Sequence, residues 1–118
     1  MTIEEFEGLA DKAIKGLPKF FKGKMRNVVV IVAASPDRAQ VRRFGRGLLG
    51  LYEGIPLLER NTGYSGAMPD KITIFQKNIE AQCSGPEEIE KEVRHVVMHE
   101  IAHHFGITDE ELRQKGLY

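Results

Sequence analysis

Five consecutive residues, Val28-Val29-Val30-Ile31-Val32, all branch at Cβ. Two heavy atoms on Cβ crowd the preceding turn of a helix but suit a pleated surface, so the segment Asn27 to Ala34 reads as a strand. No polar residue alternates with the apolar ones, which predicts burial on both faces and a need for strand and helix partners. A second strand is supplied by Lys71-Ile72-Thr73-Ile74-Phe75-Gln76-Lys77, whose polar–apolar alternation predicts one covered and one open face. Leu48 to Leu58 accommodates a third, short and interrupted by Gly54 and Pro56. The chain has 118 residues and no repeat or Ser/Gly linker, so one compact domain, residues 1–118, is expected.

Helical spacing appears at both ends. Ile3, Phe6, Leu9, Ala10, Ala13, Ile14 and Leu17 form one apolar stripe. Thr2 is placed as its N-cap, Glu5 completes a capping box, and Gly16 and Pro18 stop it. Lys19 to Lys24 reads as a basic connector. Residues 35–47 are ambiguous: Ser35-Pro36-Asp37 can open a short helix, while Gly45, Gly47 and Gly50 favour irregular chain. Asn61 to Gly66 has the composition of a loop, and Arg60 and Tyr64 beside it could touch a substrate.

The last third is helical. Pro86 suits a first turn, with Glu87 and Glu88 near the positive end of the helix dipole. Ile89, Val93, Val97, Ile101 and Phe105 follow one face until Gly106 stops the helix. Thr108-Asp109-Glu110-Glu111 is a second capping box, opening a short helix to about Gly116.

Charge excludes little but points away from polyanions: Lys+Arg and Asp+Glu balance at 17 each. No nucleic-acid partner is expected on that ground. The longest purely apolar stretch, Val28 to Ala34, is too short to span a bilayer, so no membrane association is expected. A lone cysteine, Cys83, excludes an internal disulfide, and the N-terminal residues are acidic where a secretory signal is basic and apolar. A cytoplasmic location is the corresponding expectation.

The chemistry sits on the long C-terminal helix. His99-Glu100-Ile101-Ala102-His103 places two imidazoles four residues apart, a little over one turn, so both can serve a single metal ion. Glu100 lies about 100° around the helix from His99, beside the metal rather than on it, where a general base for a water should stand. Gly106 lets the chain leave the helix with positive φ and turn back, so that Asp109 can approach as a third ligand. Three protein ligands leave a fourth position open, the arrangement of a catalytic site. Asp109 also has a simpler reading, as favourable charge at the start of a helix. His95 extends the stripe but lacks a glutamate in the base position, so it reads as a supporting or surface residue. His104 points elsewhere on the helix and reads as packed or exposed, and nothing near Cys83 marks it as activated.

The extended pattern His-Glu-x-x-His-x-x-Gly-x-x-Asp resembles the zincin metallopeptidases, with the spacing of metzincins and aspartate in place of their third histidine. A closer similarity is to a family of small, possible zinc metallopeptidases with a minimal zincin-like fold. It is carried by Leu48 to Leu57, Met68 to Phe75 and His99 to Leu112. The resemblance implies an α/β (α+β) fold, Zn²⁺ held by His99, His103 and Asp109, Glu100 as the catalytic base, and a peptide or protein substrate. It also implies that the Lys71–Lys77 strand is the sheet edge to which an extended peptide adds.

The resulting expectation is a zinc-dependent peptidase in which Glu100 takes a proton from water and returns it to the leaving amine. Two other classes compete. One is a metal-dependent RNA-processing nuclease, whose related motif has three histidines and no glutamate after the first. The other is a catalytically inactive zincin-like binding module.

Overall fold

The computed structural model describes residues 1–54 and 69–117. The expected loop at 61–66, Arg60, Tyr64 and the second half of the Leu48–Leu58 segment lie outside them. The elements run α1 (Ile3–Lys15), α2 (Lys19–Lys24), β1 (Val28–Ala33), α3 (Arg38–Phe44), β2 (Gly50–Glu53), β3 (Asp70–Phe75), α4 (Gln76–Ala81), α5 (Pro86–His104) and α6 (Asp109–Gln114). The class is α+β, with a three-stranded mixed sheet in the order β1-β3-β2.

Local chemistry accounts for the helix ends. Thr2 Oγ1 accepts from the Glu5 N–H at 3.1 Å, and the Glu5 carboxylate accepts from the Thr2 N–H at 2.9 Å, the reciprocal box expected for α1. Asp37 and Gln40 make the same exchange at the start of α3, which decides the ambiguity of residues 35–47 in favour of a helix. Gly45 then ends it with φ +90°. The basic connector expected at Lys19–Lys24 is instead the helix α2. Pro18 fixes its entry, and Phe21, fully buried, anchors its inner side while the lysines stay outside.

Three expectations about the sheet are corrected. β3 is the central strand, parallel to β1 and antiparallel to β2. It is therefore not the sheet edge, and residues 76 and 77 already belong to α4. It is also not open on one face: Ile72, Thr73, Ile74 and Phe75 are all buried, Thr73 because Ile31 and Leu51 flank it in register. Conversely β1 is not buried on both faces. Val29 and Ile31 are 43% and 42% exposed, because the core covers only the other face of β1, at Val28, Val30 and Val32.

The core lies between the sheet and the helices. Ile72 and Ile74 meet Val93, Val97 and Ile101 of α5, with Phe6 and Ala13 of α1, Phe21, Ile79 and Leu112 completing a cluster of fully buried side chains. Each large member contributes roughly 1.5–3 kcal/mol through burial. α5 is thus held against β2, β3 and α1 together, which fixes its rotation and with it the face turned outward. No helix among the described residues is long and apolar enough to cross a membrane.

Candidate metal centre

Helical period turns α5 into a two-sided element. Val93, Val97 and Ile101 face the core, while His95, His99 and His103 are exposed on the other side. The His99 and His103 rings lie 6.3 Å apart between centroids, tilted by 42°, and His95 stacks beside His99 at 6.5 Å. Gly106 takes φ +69°, as the sequence requires. The Ile107 N–H donates to the Ala102 carbonyl at 2.8 Å and the Gly106 N–H to the His103 carbonyl at 3.3 Å, the paired bonds of a Schellman stop.

The chain reverses there. Thr108 Oγ1 accepts from the Glu111 N–H at 3.1 Å and so caps α6, leaving the Asp109 carboxylate, at the next position, unused by the cap. The reversal brings Asp109 to the same pocket as the histidines. That pocket, about 380 Å³, is lined by His99, Ala102, His103, Gly106, Ile107, Thr108 and Asp109. Among the described residues, no three His, Cys, Asp or Glu side chains stand close enough to hold a metal together. Two imidazoles sharing one zinc at 2.0–2.1 Å would have centroids roughly 5 Å apart. The observed separation exceeds this by an amount within the range of side-chain rotation, and the donor types suit zinc.

Glu100 differs from its neighbours. It is half-buried, and its Oε1 accepts a hydrogen bond from the Tyr52 N–H of β2 at 3.1 Å. Burial raises its carboxyl above the ordinary glutamate range, against the lowering effects of the Tyr52 N–H and of His99 and His103. Two further hollows of about 400 and 410 Å³ flank it, sharing Phe44, Leu48, Gly50 and Glu100.

Tyr52 is the participant that sequence reasoning did not single out, although it lies inside the Leu48–Leu57 segment that carries the resemblance. Its hydroxyl donates to Asp70 Oδ2 at 2.8 Å and its ring stacks on His104 at 3.9 Å, inclined by 15°. His104, exposed overall, thus rests one ring face on β2, within the expectation that it is packed or exposed. Cys83 is half-buried, and burial followed by the charges of Glu92 and Glu88 pushes its thiol up, the opposite of activation.

Residues 25–117 match the family model described as zincin-like metallopeptidase. The chain belongs to that family. The assignment agrees with the observed fold and carries zinc binding as a general property of zincin-like proteins. The zincin-like chain is also similar in structure to a conserved hypothetical protein of T. thermophilus. That likeness has a TM-score of 0.51 and 23% sequence identity, and covers 97% of this chain and 99% of the other. At that identity it speaks for the fold alone. No curated protein matches the chain.

Proposed function

We propose that this zincin-like protein is a zinc-dependent peptidase of the cytoplasm, with His99, His103 and Asp109 holding the ion and Glu100 acting as general base. The observation that carries the reading is the position of Glu100. It stands half-buried beside the pocket that His99, His103 and Asp109 line, with one carboxylate oxygen already engaged by a backbone N–H. Zinc, when bound, supplies Lewis-acid charge for activating a water and polarising a peptide carbonyl. Glu100 would take a proton from the attacking water and return it to the leaving amine.

Substrate placement follows from the sheet. The Phe75 N–H donates to the Leu49 carbonyl at 3.0 Å, so by antiparallel alternation the backbone groups of Gly50 and Tyr52 face away from β3. Among the described residues β2 is an edge strand beside α5, and an extended peptide placed along it would cross in front of Glu100, whose carboxylate already takes the Tyr52 N–H. The apolar residues Phe44, Leu48 and Leu51 border that path.

The test combines metal content with turnover. The protein should bind about one Zn²⁺ per chain, and His99→Ala or His103→Ala should abolish binding. Glu100→Gln should retain zinc while peptide hydrolysis falls by roughly a hundred- to ten-thousandfold. Undiminished zinc content in both histidine variants would overturn the ligand assignment. A wild type that holds zinc yet cleaves nothing in a broad peptide library would instead support the binding-module reading, and cleavage of RNA would support the nuclease.

A further inference from the structure

Gly50 does not need to be glycine for its backbone conformation. Only Gly45, Gly106 and Gly116 among the described glycines have positive φ. What distinguishes Gly50 is space. A Cβ built there would lie 2.5 Å from Val96 Cγ1, 3.5 Å from Glu100 Cγ and 3.4 Å from the Thr73 carbonyl oxygen. Real Cβ contacts essentially never reach the first of these distances. Gly50 itself is buried, and its partner in register, Ile74, is fully buried.

Val96, which it would strike, and Glu100, which it would meet at ordinary van der Waals distance, are one turn apart on α5 and both face β2. Two positions along the strand from Gly50, the Tyr52 N–H reaches Glu100 Oε1 at 3.1 Å. Any side chain at 50 must push β2 away from α5 or turn Val96 aside, and a hydrogen bond of that length tolerates little displacement. We propose that Gly50 is a positioning residue: its missing side chain seats β2 on α5 closely enough for the Tyr52 N–H to hold the Glu100 carboxylate. With Oε1 so restrained, Oε2 remains to accept the proton. This catalytic consequence rests on the peptidase reading above, whereas the strand–helix contact does not.

The experiment separates the two. The Tyr52 amide resonance is followed by NMR in the metal-free protein, with Glu100→Ala marking its position when the carboxylate is absent. Gly50→Ala should move this amide upfield toward that position, Val96→Ala alone should leave it near wild type, and Gly50→Ala with Val96→Ala should restore it. If Gly50→Ala fails to fold, the double variant decides, because removing Val96 Cγ1 removes the clash. Where hydrolysis is measurable, kcat should fall by about a hundredfold in Gly50→Ala, as for a small misplacement of a reacting group, and recover in the double variant with KM and zinc content level. An unmoved Tyr52 amide in Gly50→Ala, or a double variant that does not restore it, would overturn the proposal. Absence of peptidase activity would defeat the proposed reaction alone, since the amide measurement requires no turnover.

Discussion

Asp109 illustrates how one carboxylate can carry two readings, as a metal ligand and as favourable charge at the start of a helix. A helix start welcomes an acidic residue, but the cap of α6 is made by Thr108 Oγ1, and Asp109 occupies the position after it. What remains for its charge locally is the interaction with the helix dipole, about 0.3–1 kcal/mol at an exposed position. Asp109→Asn should therefore lower zinc affinity by well over tenfold while changing the unfolding free energy of the metal-free protein by less than about 1 kcal/mol. Competition titration with a chromophoric chelator and urea denaturation measure the two effects. Level affinity with a loss of apo stability would return Asp109 to a purely structural role. The histidines and Glu100 were legible because a 3.6-residue period places side chains on faces without knowledge of the rest of the fold. The Tyr52 contact was not, since 48 positions separate it from Glu100 and no local rule connects them.

Elements with their own stop and start signals were read well. α1 carries its capping box, and α5 runs from Pro86 to a glycine in the left-handed region. A Cβ at Gly106 would meet nothing within 4 Å, so Gly106→Ala meets only the conformational penalty of positive φ, about 1–2 kcal/mol. Urea unfolding of the metal-free variant should show that loss. Zinc affinity should fall as well, because the same turn carries the chain from His103 to Asp109. An Ala variant as stable as wild type would mean that the helix ends differently. Strand roles were read less well, for a physical reason. Alternation in Lys71–Lys77 reports which residues are polar, but burial of Thr73 depends on Ile31 and Leu51 on either side, and those neighbours are chosen by pairing across the sheet. The β-branched run of β1 reports strand propensity, and says nothing of whether the strand ends at an edge. α2 and α4, at six residues each, are too short for periodicity to announce them.

At the scale of the whole described molecule, α1, α5 and the core cluster occupy the side of the sheet faced by Ile72 and Ile74, so substitutions on the two sides of the sheet should have unequal effects. Ile31→Thr, at a position 42% exposed, should change stability by no more than about 0.5 kcal/mol. Ile74→Ala, at a fully buried one, should cost about 2–5 kcal/mol in the same denaturation assay. Equal losses would place β1 between two covered faces after all. The sheet order has a further consequence in time. Val28 pairs with Asp70 in a parallel ladder, so β1 cannot find its neighbour until β2 and everything up to β3 has been synthesised. Such non-local closure is slow compared with helix formation. The histidine pair of α5 leaves the ribosome later still, after the three described strands. An unfolded chain with exposed histidines can chelate metal in the wrong arrangement. On the proposed ligand assignment, the order of synthesis delays the histidines until the segments of their scaffold are available to collapse, so a nascent chain would have little opportunity to trap an ion before it has a site to put it in.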